Sequence, residues 1–112
     1  IALRVNQKIK AVRAAERLLS FQPENLGFIY LYGVATLQNN NLQKAESSLI
    51  KYFEARPNDN RGCLALGLTF AAQTEKIEQA REQLQKCLQI NPNNFEAAYQ
   101  LGLSYKTVGD SA

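Results

Sequence analysis

The chain has 112 residues, 46% of them apolar, and 13 basic against 10 acidic residues give a net charge of +3. This apolar share is too high for a disordered chain, and no apolar run reaches the roughly 18 residues that a membrane-spanning helix needs. No basic-then-apolar leader opens the sequence, so we expect no signal peptide, and the lack of Met indicates a chain processed or cut from something longer.

The N-terminal stretch predicts parts of two helices. We expect residues 1–5 to be the end of one helix. Asn6 and Gln7 then form a turn, and residues 9–19 form the next helix. This helix should stop before Pro23, because proline lacks the N–H that would continue it and disfavours helical geometry in the preceding residue.

Residues 24–57 predict a helix, a turn and a second helix. The first helix covers residues 25–37, and the second covers residues 42–55 and ends before Pro57. Asn residues occupy positions 39–41, where they suit a tight reversal because Asn tolerates left-handed backbone geometry.

Residues 58–92 predict the same order of elements. Apolar residues in the first half recur at i, i+3, i+4 and i+7, which is typical of an amphipathic helix. They are Cys63, Leu64, Leu66, Gly67, Leu68, Phe70 and Ala71. Residues 74–76 interrupt this stripe, and a second helix follows over residues 77–90 and stops before Pro92.

The C-terminal stretch predicts one more helix, over residues 95–108, and a turn that opens at Gly109 and Asp110. Apolar residues spread around much of this helix, whereas the cap of a helical array needs a polar outer face. We therefore expect a fragment of a longer array, with exposed apolar surface at both ends and self-association through its terminal helices.

Small residues and prolines return every 34 or 35 positions. They are Ala11, Ala45 and Ala80, then Pro23, Pro57 and Pro92, then Gly33, Gly67 and Gly102. A period of this length predicts one helix–turn–helix unit copied along the chain. Glycine inside a helix costs about 1 kcal/mol relative to alanine, so we expect each to serve close packing, with Gly33 facing Ala45 and Gly67 facing Ala80.

Further positions keep the same register in each unit. They are Tyr32, Gly33, Ala45, Leu49 and Pro57, then Leu66, Gly67, Phe70, Ala80, Leu84 and Pro92, then Leu101, Gly102, Tyr105 and Gly109. This pattern resembles the tetratricopeptide repeat (TPR) family over nearly the whole chain.

The resemblance implies an all-α fold, a right-handed superhelical solenoid of antiparallel helix pairs. It divides the chain into a partial repeat at 1–23, full repeats at 24–57 and 58–92, and a partial repeat at 93–112. It also implies a non-catalytic scaffold whose partner is a protein or peptide segment.

In the family, first helices line a concave groove. The matching positions here are Tyr30, Val34, Leu37, Gln38, Arg61, Leu64, Leu68, Tyr99 and Leu103. Val34, Leu68 and Leu103 occupy equivalent inward positions and predict an apolar strip, which suits an apolar stretch or an amphipathic helix. The alternative is a structural spacer of a larger repeat protein, with the strip buried by neighbouring repeats or by a second copy.

Basic residues concentrate near the start of the chain. Residues 1–20 contain five basic residues and one acidic residue, and Lys10, Arg13 and Arg17 share one helix face. This face is either solvated or a contact for an acidic protein, membrane headgroups or nucleic acid. Nucleic acid is not the expected partner, because no exposed aromatics interleave with the basic residues to stack on bases.

The composition argues against catalysis and metal binding. The chain has no His, no glycine-rich phosphate loop and no nucleophile motif around its serines. We therefore predict no catalytic residue, no cofactor and no metal site. Cys63 and Cys87 each fall on an apolar helix stripe, so we expect two free, buried thiols, with a disulfide between them as the alternative.

Overall fold

The computed structural model describes residues 2–107, with the side chains of residues 5–106. Across this range the chain folds into six α-helices and one short 3₁₀ helix at Thr74–Lys76. The α-helices are α1 (Ala2–Phe21), α2 (Leu26–Gln38), α3 (Leu42–Ala55), α4 (Asn60–Ala71), α5 (Ile77–Ile90) and α6 (Phe95–Thr107). The prediction of an all-α chain is confirmed.

Helix α1 corrects the predicted start of the chain. It continues from Ala2 to Phe21 without interruption, so the turn predicted at Asn6 and Gln7 is wrong. Asn and Gln cost less than about 1 kcal/mol in a helix interior, and neither breaks the backbone ladder as proline does. The turn predicted at Gly109 and Asp110 lies outside the described residues.

The starts and turns of the helices follow local chemistry. The side chain of Asn25 caps α2, because its Oδ1 accepts a hydrogen bond from the Phe28 N–H at 3.1 Å. Asp59 caps α4 in the same way, through the Arg61 and Gly62 N–H groups. Asn40 has φ 62°, so the turn between α2 and α3 uses the left-handed geometry predicted for this Asn run.

Contacts divide the chain into two compact units, Ile1–Ala55 and Arg56–Ala112. In the first unit, α2 packs against both α1 and α3. Helices α2 and α3 are antiparallel, since Tyr30 near the start of α2 lies 5.0 Å, ring centroid to centroid, from Tyr52 near the end of α3. The core of this unit includes Ile29 and Leu49, which are almost fully buried.

Glycine permits the close approach of α2 and α3. A Cβ added to Gly33 would lie 2.6 Å from both Cγ and Cδ2 of Leu49. In the second unit, a Cβ on Gly67 would lie 2.8 Å from Cδ2 of Leu84. The predicted packing role therefore holds for Gly33 and Gly67, where the side chain that takes the space beside the glycine is a leucine rather than the expected alanine. It is wrong for Gly102, because a Cβ there would meet nothing within 4 Å.

The second unit is built around the antiparallel pair α4 and α5. A disulfide joins Cys63 of α4 to Cys87 of α5, with a Cα–Cα distance of 5.6 Å, and both residues are fully buried. The expectation of two free thiols is thus wrong. Each Cys was assigned to its own helix face, whereas the pairing of the helices places the two faces opposite each other at disulfide range.

Polar contacts fix α6 against the rest of the second unit. Arg81 of α5 is 8% exposed and donates to the hydroxyl of Ser104 at 3.2 Å and to its backbone carbonyl at 3.0 Å. Its guanidinium also lies 4.2 Å from the ring centroid of Tyr105. At the other end of α6, the Asn94 side-chain amide donates to Oδ1 of Asn60 at 2.6 Å.

Candidate protein-binding site

The first helix of the second unit carries half of the candidate site. Arg61, Leu64 and Leu68 are spaced i, i+3 and i+7 on α4, so they share about 60° of its circumference. Arg61 is exposed, and the two leucines are half-buried. The opposite side of α4 packs against α5, so Arg61, Leu64 and Leu68 lie on the side of α4 that faces away from α5.

Helix α6 supplies the other half. Tyr99 is 62% exposed and Leu103 is 36% exposed, and their i, i+4 spacing places them on one side of the helix. Helices α4 and α6 contact each other directly. We call the five residues Arg61, Leu64, Leu68, Tyr99 and Leu103 the α4–α6 face.

The charge on this face lies at its edges. Nε of Arg61 lies 3.9 Å from Oδ1 of Asp59, the residue that caps α4. Glu96 and Lys106 are both exposed near the two ends of α6. The centre of the face is therefore aliphatic and aromatic, with polar groups around it, which is the usual composition of a protein contact surface.

In the first unit, the predicted groove residues share one side of α2. Tyr30, Val34 and Leu37 are half-buried, and Gln38 is exposed. The ring of Tyr30 already packs on the buried ring of Tyr52, so part of its apolar surface is used inside this unit. This side of α2 consequently offers less free apolar surface than the α4–α6 face.

The predicted basic residues Lys10, Arg13 and Arg17 are all exposed on α1. Glu16 is exposed on the same helix. The arrangement is that of a solvated surface, and a role in binding stays a prediction.

A cleft in the first unit was missed at the level of sequence. It has a volume of about 440 Å³ and lies between the end of α1, the side of α2 that carries Ile29 and Tyr32, and the surface of α3. Its signal in the sequence was the i, i+3, i+7 spacing of Lys44, Ser47 and Lys51. That spacing went unnoticed because lysines on an outward helix face are common.

Residues 2–107 show neither a metal site nor a membrane-spanning helix. The described residues contain no group of three or more His, Cys, Asp or Glu side chains placed to hold a metal ion. None of the helices in this part of the chain combines the length and apolarity required to cross a membrane.

Comparison with known proteins agrees with this architecture. Residues 71–109 match the family model described as TPR repeat. This chain contains a TPR repeat. The match covers α5 and α6, the two helices that Arg81 joins. TPR repeats are in general non-catalytic scaffolds for protein interaction, and this chain has the corresponding fold.

A solved structure extends the likeness to both units of this chain. It is a mutant of the O-GlcNAc transferase of Thermobaculum terrenum, with a TM-score of 0.79 and 22% sequence identity. The match covers 93% of this chain and 20% of the transferase chain. At this identity the likeness shows the fold alone. No curated protein matches the sequence.

Proposed function

We propose that the chain is a non-catalytic scaffold that binds an apolar or amphipathic helical peptide on the α4–α6 face. The observation that supports this most is the exposure of Tyr99, at 62%, on the same side of α6 as Leu103, while the contacting helix α4 carries the half-buried Leu68. Contiguous apolar surface with a polar rim is a common mark of a site for a protein partner.

The chemistry of the face defines the ligand. Its centre offers aliphatic contacts, so a partner helix would place apolar side chains at i, i+3 or i+4, and i+7 against it. Arg61 at the edge favours an acidic residue at one end of that helix. The corresponding residues of the first unit, Tyr30, Val34, Leu37 and Gln38, are proposed as a second, smaller contact surface.

A spacer role is the second candidate. Phe95 is 80% exposed and Tyr105 is 41% exposed on α6. Apolar exposure of this extent also suits burial by neighbouring repeats or by a second copy of the chain. A molecular mass that rises with concentration in sedimentation equilibrium, and falls back in Leu103→Glu, would favour this role over peptide binding.

The test of peptide binding uses helical peptides selected from a random library on the intact chain. We expect Leu68→Glu to weaken the selected peptides at least tenfold, because it places a charge among desolvated apolar contacts. Gln85→Glu is the matched control, since it makes the same change of charge at an exposed position of α5. Unchanged affinity in Leu68→Glu, or equal loss in both variants, would contradict the proposed site.

A further inference from the structure

The cleft of the first unit combines an apolar floor with a basic wall. The floor contains Ile29, which is almost fully buried, and Leu19 and Tyr32, which are half-buried. The wall is the exposed side of α3 with Lys44 and Lys51. A volume of about 440 Å³ lies within the range of small-ligand sites, which is roughly 300–1,000 Å³.

Helix α3 is held in place at this cleft. The hydroxyl of Ser48 donates to the backbone carbonyl of Ile29 at 2.7 Å, which fixes the wall against the floor. Ser47, one residue earlier, is exposed and lines the cleft. The wall therefore presents a hydroxyl between two ammonium groups on a fixed helix.

The two lysines are separated along the wall. Seven residues of α-helix place the backbones of Lys44 and Lys51 about 10 Å apart along the axis. They do not converge on one point, as a site for a single phosphate group would require. In a polyproline II segment, which has three residues per turn and a rise of about 3.1 Å per residue, side chains three positions apart lie on one side about 9 Å apart. Two carboxylates at that spacing match the lysines.

The two lysines can both pair with carboxylates of a ligand. Lys44 has no ion-pair partner among the described residues. Lys51 lies 3.3 Å from Oε1 of Glu24, but the two side chains are 51% and 83% exposed. An ion pair this exposed contributes little to stability, so a ligand carboxylate can replace Glu24.

We propose that this cleft binds an extended acidic peptide segment, with two carboxylates three positions apart and apolar side chains between them. The carboxylates pair with Lys44 and Lys51, and an apolar side chain enters the cleft over Ile29 and Tyr32. The site is separate from the proposed peptide-binding surfaces. Tyr32 is about 200° around α2 from Tyr30, so the cleft uses another side of that helix.

The experiment measures fluorescence anisotropy of a labelled, end-blocked peptide with the core Asp-Leu-Phe-Glu, titrated with the intact chain. The comparison peptide has the core Asn-Leu-Phe-Gln. We expect the acidic peptide to bind at least tenfold more tightly, and the difference to shrink as salt is raised.

Three variants locate the site. Lys44→Glu should lower the affinity for the acidic peptide about tenfold, because it replaces attraction by repulsion. Glu24→Gln should raise that affinity about twofold to threefold, because it removes the carboxylate that competes for Lys51. Lys86→Glu, an exposed charge reversal in the second unit, should leave the affinity unchanged.

Several results would overturn this proposal. They are equal affinity for the acidic and amide peptides, equal loss in Lys44→Glu and Lys86→Glu, and displacement of the peptide by inorganic phosphate at low concentration, which would identify a phosphate site. The Leu68→Glu variant should bind this peptide normally. The experiments therefore distinguish an absence of binding at the cleft from an absence of binding at the α4–α6 face.

Discussion

Gly33 and Gly102 occupy equivalent positions in the repeat register but have different surroundings. A Cβ at Gly33 would overlap Leu49, whereas a Cβ at Gly102 would meet nothing within 4 Å. The shared register was visible in the sequence. The difference was not, because it depends on which helix packs against each glycine.

The two glycines give a matched pair of substitutions. Gly33→Ala should lower the free energy of unfolding by about 1–3 kcal/mol, because fully buried Leu49 has little space to move. Gly102→Ala should raise it by up to about 1 kcal/mol, because alanine is the better helix former. Urea unfolding followed by circular dichroism measures both. Stabilisation by Gly33→Ala would show that the helices do not approach as closely as described.

A second prediction at the scale of the residue concerns the buried disulfide. Reduction of Cys63–Cys87 should lower the free energy of unfolding by about 3 kcal/mol, because the bond restricts the unfolded chain over a separation of 24 residues. Thermal unfolding with and without a thiol reductant measures the effect. The double variant Cys63→Ala, Cys87→Ala should not respond to the reductant. Alkylation of both Cys residues in unreduced, denatured protein would contradict the bond.

At the scale of the element, hydrophobic periodicity predicted most helices closely. Helices α3 and α5 were predicted with the bounds that the structure shows, because proline and Asn-rich turns mark their ends. The start of α1 was mispredicted, since a lone Asn is a weak turn signal without glycine or proline. The contacts by which Arg81 holds α6 against α5 were also missed, because nothing in the sequence distinguishes Arg81 from a surface arginine.

Substitution of Arg81 tests whether its contacts stabilise α6. Arg81→Ala should destabilise α6 by about 2–3 kcal/mol, because it removes two hydrogen bonds to Ser104 and the contact with Tyr105. Hydrogen–deuterium exchange should accelerate in the peptides of α6 and stay unchanged in α2. Arg81→Lys keeps the charge but replaces the planar guanidinium, which donates from two separate nitrogens, by a single ammonium nitrogen, so it should give an intermediate effect. Uniform acceleration across the chain would argue against a local role.

At the scale of the whole molecule, contacts between neighbours in sequence build both units. The Asn60–Asn94 hydrogen bond spans 34 residues, one period of the repeat. Such locality explains why a one-dimensional pattern predicted the fold so well. Binding surfaces have no such periodic constraint. The residues of the α4–α6 face were proposed from the resemblance to the TPR family, but the exposure of Tyr99 and the packing of Tyr30 on Tyr52 required coordinates.

Chemical-shift mapping of a selected peptide on the isotope-labelled chain tests most directly whether the α4–α6 face binds protein segments. We expect the largest changes to cluster at Leu64, Leu68, Tyr99 and Leu103, and we expect Leu68→Glu to abolish them at the same peptide concentration. Changes confined to the outer side of α5, or a pattern that persists in Leu68→Glu, would contradict binding at this face.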